Sequence, residues 1–427
     1  MSAVTPEGSL LKTQISPTSI ALAPSRSVGF IAMLSVANLG LWLAVYAPAL
    51  VTVSIRVREV DPDNAVQVYG SITAVAALFA LVGNPLFGRL SDRSRSRFGR
   101  RRTYFVGGMV AGTAAVTFIG LTDSTTAMMA GWCAAQLAYN AAIAALTAVL
   151  ADYVPQHQRG RAAGITGVCN FGALAGAAYV AAWFSESTVL MFLAPAVIGL
   201  VLVGAFAPLL KETQGTSARK KFELRDFFTT FWVNPLKNPD FAWAWISRFF
   251  INLAWMTLLT YQSFLLIERF GYTNNSVAPV VATASLVLVA GILVGSGAGG
   301  YISDKTGRRK FFIALATIIA AIGFPIIAFA GDLNAFHLGV VLVGLGIGIH
   351  MSVDLALVTD VLPDTEEAGK DLGVFNIANA LPQSVAPAFA AVLFALSGGQ
   401  NFTGLYLSAA VFALLGAVAV KFVRGSR

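Results

Sequence analysis

Long apolar stretches alternate with short polar segments along most of this sequence. Twelve of the stretches are close to or above about 20 residues, the length that a helix needs to cross the hydrocarbon core of a bilayer. Most are apolar on every side and lack the two-residue alternation of a half-buried strand, so the pattern predicts an all-α membrane protein rather than a β-barrel. The predicted spans are 28–50, 66–87, 104–122, 127–151, 160–184, 188–209, 241–267, 277–301, 310–330, 336–361, 370–396 and 401–423.

The composition excludes a water-soluble globule. Hydrophobic residues make up 56% of the 427 residues and charged residues 12%, with a mean hydropathy of +0.72. Soluble domains have about 25% charged residues. Cys133 and Cys169 both lie in apolar stretches, so the sequence predicts neither a disulfide framework nor a metal site, and no cofactor is expected. Residues 1–27 are rich in Ser, Thr, Pro and Ala, which predicts a disordered tail.

The basic residues predict the orientation of the spans. The net charge of +8 could suggest nucleic acid as a partner, but the Lys and Arg residues form short clusters between apolar stretches. With the N-terminus inside the cell, most of the 29 basic residues fall on the cytoplasmic side, including seven arginines within 89–102. This positive-inside bias predicts a multi-pass protein of the cell membrane with both termini cytoplasmic and no nucleic acid partner.

Three short segments occur once in each half of the chain and in the same order. A Gly-x-x-Ser-Asp segment precedes a glycine with paired arginines, and an Asp-x-x-Pro segment follows further on. The copies are 88–92 and 300–304, 99–101 and 307–309, and 152–155 and 360–363. Because independent motifs agree, the sequence indicates a duplication into two pseudo-symmetric six-helix halves, the build expected of an alternating-access carrier. The predicted domains are a tail 1–27, a first bundle 28–209, a cytoplasmic linker 210–240, a second bundle 241–423 and a tail 424–427.

The repeated loops resemble the signature loop of the major facilitator superfamily, which joins helices 2 and 3. The first copy, residues 91–102, is also similar to the loop of sucrose transporters and of glycoside–pentoside–hexuronide cation symporters. The resemblance implies a twelve-helix carrier in which helices 1, 4, 7 and 10 line a central cavity.

The loop residues are candidates for a gate. An aspartate beside a glycine-rich turn can accept hydrogen bonds from a neighbouring helix N-terminus, and the arginines can pair with acids at nearby helix ends. Such contacts would close the cytoplasmic side and break when it opens. The alternative is that the arginines only set the topology. The gating candidates are Gly88, Asp92, Arg93, Gly99, Arg100, Arg101, Asp152, Asp304, Arg308, Arg309 and Asp360.

Polar and aromatic residues deep within spans are candidates for substrate binding, because buried polar groups are costly in a bilayer. Amides exchange hydrogen bonds with hydroxyl groups and aromatic rings offer flat apolar faces, which together suit a neutral polyhydroxylated molecule such as a sugar or glycoside. The alternative is that the amides join helices and the rings fill space. The candidates are Asn38, Trp42, Tyr46, Gln136, Asn140, Asn252, Trp255, Asn376, Asn379 and Gln383.

One acid–base pair is predicted inside the spans. Arg248 and Asp354 each lie about seven residues, or roughly 10 Å, from the cytoplasmic side, and His350 lies one turn before Asp354. A carboxylate that alternates between an arginine and a proton could couple proton binding to cavity opening. The alternative is a permanent structural ion pair. Gly344, Gly346 and Gly348 are expected to loosen the helix that carries Asp354.

These observations predict a secondary transporter rather than an enzyme. The sequence has no Gly-rich Lys-Ser/Thr nucleotide loop, zinc motif or nucleophile elbow. The prediction is proton-coupled uptake of a sugar or glycoside by a monomer, with a proton or another cation and the lipid bilayer as further partners. A proton-driven exporter is the alternative, although helix 5 has glycines without the proline typical of drug antiporters. A non-transporting receptor or assembly factor is a second alternative.

Overall fold

The structure, a computed structural model, describes residues 25–210, 212, 238–361, 374 and 377–423. This part of the chain contains helices and short connections, with no strand among the described residues. Twelve of its helices are long and apolar enough to cross a membrane. The all-α prediction is therefore confirmed.

Many of the helices begin or end beyond the predicted spans, because polar and charged turns continue them past their apolar windows, whereas five of them end one to three residues earlier than predicted. Helix α1 differs most: it passes through a π-helical turn at Pro48–Thr52 and ends at Val60, whereas the sequence predicts an end at residue 50. The predicted start of the eleventh span, residue 370, lies outside the described residues. The helices are α1 Val28–Val60, α2 Ala65–Arg93, α3 Arg102–Leu121, α4 Thr125–Tyr153, α5 Gln156–Trp183, α6 Thr188–Phe206, α7 Pro239–Phe270, α8 Asn274–Thr306, α9 Arg309–Ala328, α10 Leu333–Val361, α11 Ile377–Leu396 and α12 Phe402–Lys421.

The helices pack as two sets, α1–α6 and α7–α12. In the first set, α1 packs on α5 and α6, α4 packs on α2 and α3, and α3 packs on α6. The second set has the same pairs six helices later: α7 on α11 and α12, α10 on α8 and α9, and α9 on α12. The main helix pairs between the sets are α5 with α8 and α2 with α11.

The two ends of the bundle differ in their chemistry. We name the end that holds the α2–α3 connection, residues 94–101, the arginine-rich end. The start of α1 lies there, because Arg26 Nε donates to the carbonyl oxygen of Tyr153 at 2.9 Å. The opposite end holds the turn between α1 and α2 and the end of α7, which are joined by an ion pair between Arg58 and Glu268.

Glycines allow α10 to pack backbone to backbone on its neighbours. A Cβ atom on Gly344 or Gly348 would overlap the backbone of α8, and a Cβ on Gly346 would overlap the backbone of α9. The expectation that these glycines loosen α10 is therefore wrong, because each is required by a close helix contact. Asp354 thus lies on a helix that packs closely against α8 and α9.

The glycines of α5 have the opposite environment. A Cβ on Gly164, Gly167 or Gly172 would meet no atom within 4 Å, and one on Gly176 would be 3.9 Å from Leu43. Gly297 of α8 is similarly open. These small residues give α5 an uncovered face in the half nearer the arginine-rich end.

Candidate functional site

A polar network joins α7, α10 and α11 within the second set. Arg248 Nη1 forms an ion pair with Asp354 Oδ2 at 2.8 Å, and Arg248 Nε donates to Asn379 Oδ1 at 2.7 Å. Asn252, one turn after Arg248 on α7, donates to the same Asn379 oxygen at 3.1 Å. The pairing that the sequence predicts from equal depth is present, and it includes two amides that the sequence assigns separately to substrate binding.

The ion pair is largely withdrawn from solvent. The side chain of Asp354 is 7% exposed and that of Arg248 is 21% exposed. In the described parts of the twelve spans, they are the only Asp, Glu, Lys or Arg side chains more than six residues from a helix end. Burying two charges costs desolvation energy that their attraction must offset, so removing the charge of either partner destabilises the other.

His350 borders this pair from one turn earlier on α10. Its Nε2 lies 3.7 Å from Asp354 Oδ1, which is too long for a hydrogen bond. The ring is buried, and neither nitrogen has a hydrogen-bond partner among the described residues. The imidazole is therefore close enough to exchange a proton with Asp354 after a small movement or through a water.

An aromatic and amide cluster lies on α1 and α5 in the first set. Trp42 and Tyr46 stack with ring centroids 5.0 Å apart and an interplanar angle of 27°. With its amide oxygen facing the indole, Asn170 accepts a hydrogen bond from Trp42 Nε1 at 3.3 Å and donates to the Thr166 carbonyl at 3.2 Å. Sequence reasoning missed Asn170, although an amide within an apolar span was the signal that selected the other candidates.

Three of the candidate amides are bonded within their own helices. Asn38, Asn140 and Asn252 each donate to the carbonyl oxygen four residues earlier, at 2.9 Å in every case. Asn140 also accepts from Asn84 of α2 at 3.4 Å, a residue that the sequence analysis did not select. Each amide keeps hydrogen-bonding capacity beyond its own helix, so a substrate contact remains a prediction for these residues.

The remaining binding candidates differ in exposure. Gln136 is half-buried, Trp255 is buried and Gln383 is exposed. Asn376 lies outside the residues whose side chains the structure describes. A contact between these residues and a substrate stays a prediction.

Arg101 is the centre of an ion cluster at the arginine-rich end. Its buried side chain binds Asp92 at 2.5 Å, Asp152 at 2.8 Å and the Ser91 hydroxyl at 2.6 Å, and Arg100 also binds Asp152 at 2.7 Å. The sequence predicts that the loop arginines pair with an acid at a helix end, and Arg100 and Arg101 both pair with Asp152 at the end of α4. All of these bonds join elements of the first set, so in this structure they brace that set.

A carboxylate does bind a helix N-terminus at this loop, but it is not that of Asp92. Glu212, just after α6, accepts from the backbone N–H groups of Arg101 and Arg102 at 2.9–3.0 Å. Gly99 has a φ of +107°, and a Cβ there would overlap the Glu212 carboxylate. The residue at this position must therefore be glycine for the loop to hold Glu212. The expectation that Asp92 caps a neighbouring helix is wrong, because the Arg101 side chain holds Asp92 instead.

The second copy of the motif is arranged differently. Gly307 ends α8 with a φ of +66°, and Asp304 and Arg308 are exposed. Arg309 is half-buried and has polar or ring contacts, and so has the exposed Arg93 in the first copy. The Asp360 side chain lies outside the description. Gly88 in the first copy faces α4, with a built Cβ 3.9 Å from Ala144.

The opposite end is closed by contacts between the two sets. Arg58 Nη1 binds Glu268 Oε1 at 2.9 Å, and the hydroxyls of Ser263 and Ser54 are 3.1 Å apart. Tyr69 packs on Tyr261 and Phe264, with ring centroids 6.4 Å and 5.2 Å away. Every hydrogen bond, ion pair and ring contact between described residues of the two sets belongs to this cluster, which we name the opposite-end clamp.

The clamp was missed by sequence reasoning. Arg58 and Glu268 both lie near the ends of predicted spans, where charges need no functional explanation by themselves. Only the packing of α1 on α7 brings these residues together.

Two sets of six membrane-spanning helices that contact each other at one end, with a buried ion pair inside the second set, are the arrangement expected of a membrane carrier. The profile of the major facilitator superfamily matches residues 27–387 and 289–427. The chain therefore belongs to this superfamily.

Characterised relatives cover only part of the chain. A citrate–proton symporter of Salmonella typhi is 26% identical over 225 residues, which is 51% of this chain and 50% of the symporter. The glucose transporter GlcP of Staphylococcus epidermidis is 32% identical over 24% of this chain and 22% of its own length. An arabinose–proton symporter of Bacillus subtilis is 32% identical over 18% of this chain and 17% of its own length. The chain spans half or less of these relatives.

Solved structures share the fold over nearly the whole chain. An inward-facing, unoccupied bacterial homologue of the human lysosomal transporter Spinster has a TM-score of 0.66 at 15% identity, covering 93% of this chain and 95% of that one. The nucleoside transporter NupG has a TM-score of 0.69 at 13% identity, covering 92% and 99%. At these identities the likeness concerns the fold alone.

Proposed function

We propose that the protein is a secondary active transporter that takes up a sugar or glycoside with a proton by alternating access. The observation that carries the proposal is the buried Arg248–Asp354 pair beside the amides of Asn252 and Asn379. The sugar and sugar–proton transporters among the partial relatives favour this substrate class. The citrate–proton symporter favours proton coupling.

The orientation follows from the arginines. The arginine-rich end is cytoplasmic and both termini lie inside, since positively charged segments stay on the inner side of a cell membrane. The bundles 28–209 and 241–423 are pseudo-symmetric domains joined by the linker 210–240, and one chain forms the complete pathway. Because the clamp closes the outer end, the structure corresponds to an inward-facing state.

The gate candidates act in the other state. When the two bundles rock, the open face of α5 closes on α8, and the ion cluster around Arg101 moves as one rigid unit with the first bundle. The repeated acid and arginines of the second bundle, Asp304, Arg308 and Arg309, approach it from the facing side. Cytoplasmic closure then replaces the outer clamp.

Proton coupling centres on Asp354. When its carboxylate is ionised, it holds Arg248 and joins α10 to α7. Protonation removes the ion pair and weakens that link, which biases the bundle towards the other state. His350, whose Nε2 lies 3.7 Å from Asp354 Oδ1, passes the proton to the carboxylate.

Uptake into proteoliposomes tests this function, with the Asp354→Asn variant beside the wild type. Asparagine mimics the protonated acid, so we expect the variant to lose gradient-driven accumulation of labelled glycosides but to keep exchange across equal proton concentrations. Asp63→Asn, which removes an exposed acid between α1 and α2, is the matched control and is expected to accumulate like the wild type. Undiminished accumulation by Asp354→Asn would make the pair structural. Absence of flux for any sugar would reject uptake and favour the exporter.

A further inference from the structure

We propose that Asn170 is a positioning residue of the substrate site, and that it holds the Trp42 indole so that one face of the ring receives the apolar face of a cyclic sugar. The inference rests on the proposed uptake of a sugar or glycoside. It deepens that function by assigning the part of the site that recognises the ring of the substrate.

Asn170 has a counterpart in the second set of helices. Asn379 follows it by 209 residues and Asn252 follows Trp42 by 210, and the repeated motifs are 208 to 212 residues apart. The packing of α1 on α5 is matched by that of α7 on α11. In the first set Asn170 accepts from Trp42 Nε1 at 3.3 Å, and in the second Asn379 accepts from Asn252 Nδ2 at 3.1 Å. The same contact therefore holds an indole in the first set and an amide in the second.

The amide of Asn170 is itself held in place. Its nitrogen donates to the carbonyl oxygen of Thr166 at 3.2 Å, one turn earlier on α5. The Thr166 hydroxyl lies 3.2 Å from the hydroxyl of Ser35 on α1, so the two helices are joined beside the amide. The indole has a single N–H donor. A bond from that donor to a fixed acceptor restricts the rotation of the Trp42 ring.

One face of the Trp42 ring is covered and the other is available. Tyr46 stacks on the indole with centroids 5.0 Å apart and is its only ring contact among the described residues. Because α1 begins at the arginine-rich end, Tyr46 lies one turn further from that end and covers the face directed away from it. The indole is half-buried, and on α5 a Cβ built on Gly167, one turn before Asn170, would meet no atom within 4 Å. We place the substrate in the open space beside the uncovered face.

The chemistry of this space suits a closed sugar ring. An aromatic ring offers a flat apolar face, and a pyranose presents C–H groups on its faces and hydroxyl groups at its rim. Asn38, one turn before Trp42, lies on the side of the uncovered face and donates to the Leu34 carbonyl at 2.9 Å. Its amide oxygen accepts no hydrogen bond among the described residues, so it can accept one from a rim hydroxyl. The site therefore favours a cyclic sugar over an open-chain polyol.

Removing the acceptor of Asn170 tests the positioning role. Asn170→Leu keeps the size of the side chain but cannot accept from the indole, and Asn170→Ala removes the acceptor without added bulk in case leucine impairs folding. The probes are labelled glucose, sucrose and methyl glucosides in proton-driven uptake. We expect both variants to raise the half-saturation concentration about fivefold, the effect of one hydrogen bond, with little change in the maximum rate. A lower maximum rate at an unchanged half-saturation concentration would overturn the inference.

A double-mutant cycle separates positioning from a general loss of structure. Trp42→Phe keeps an aromatic ring but has no N–H, so adding Asn170→Leu to it should cause little further loss of affinity. Trp183→Phe is the matched control, because that indole is 86% exposed at the end of α5. In this background Asn170→Leu should keep its full effect. Equal effects in both backgrounds would contradict a role that acts through the Trp42 indole.

Matched ligands test the recognition of the ring. Glucose and sorbitol carry similar hydroxyl groups, but sorbitol is an open chain without a ring face. We expect the cyclic sugars to quench tryptophan fluorescence in detergent, with the quenching lost in Trp42→Phe and kept in Trp183→Phe, and sorbitol to cause none. Proton-driven sugar uptake that is indifferent to Trp42 and Asn170 would overturn the inference and leave the proposed function standing. Absence of proton-driven uptake for every sugar would overturn both.

Discussion

At the scale of single residues, Asn379 decides how Arg248 is held. Its oxygen accepts from both Arg248 Nε and Asn252 Nδ2, so one amide fixes the guanidinium and joins α11 to α7. The equal distance of Arg248 and Asp354 from the ends of their predicted spans was enough to predict that they pair. It could not show that Asn379 completes the pair, because the distance from α7 to α11 is set by helix packing. Glu212 and Ser263 were missed for the same reason, because their partners are far away in the sequence, whereas Asn170 carried the local signal of an amide within an apolar span.

We predict that Asn379→Asp uncouples transport. The new carboxylate would pair with Arg248 whether or not Asp354 is protonated, so Asp354 could take up and release a proton without changing how Arg248 is held. The expected result is a proton leak in substrate-free proteoliposomes, followed with an internal pH dye, and loss of gradient-driven accumulation. Gln67→Glu adds an acid at an exposed position in the first turn of α2, outside the candidate site, and is expected to leave coupling intact. Tight coupling in Asn379→Asp would contradict the charge argument.

At the scale of helices, glycines have two different roles that the sequence does not distinguish. Gly346 touches the backbone of α9, whereas Gly164 faces open space. Both occur in apolar spans rich in small residues, so local sequence could predict the helices and not the surfaces that they cover. An open face on α5 is expected when α5 approaches α8 in another state of the transport cycle.

We predict opposite effects of substitutions at these two glycines. Gly346→Ala should lower the free energy of unfolding by about 1–3 kcal/mol through overpacking. Gly164→Ala should be neutral or stabilising by up to about 1 kcal/mol, because alanine favours a helix over glycine. Gly164→Leu should keep its melting temperature but slow transport by obstructing closure. Thermal unfolding in detergent and uptake measurements check both effects; similar melting temperatures for the two alanine variants would contradict this assignment.

At the scale of the whole molecule, the sequence could predict most of the architecture. The apolar stretches located the twelve spans, and the chain belongs to the superfamily whose signature loop the repeated loops resemble. The state of the carrier could not be predicted, since it depends on which faces of the two bundles touch. Arg58, Ser54 and Tyr69 contact α7 in this structure, and nothing in their local sequence indicates it.

The central claim, proton-linked alternating access, is tested most directly by distances at both ends of one protein. With Cys133 and Cys169 replaced, spin labels on Asp63 and Gly331 report the opposite end, and labels on Gly160 and Lys305 report the arginine-rich end, all at exposed positions. Pulsed electron paramagnetic resonance in lipid nanodiscs measures each distance at mildly alkaline and mildly acidic pH, with Asp354→Asn as the protonated mimic. We expect acid to lengthen the distance at the opposite end while shortening the distance at the arginine-rich end, and the variant to show the acid distances at both pH values. Two distances that stay constant, or that lengthen together, would contradict the account.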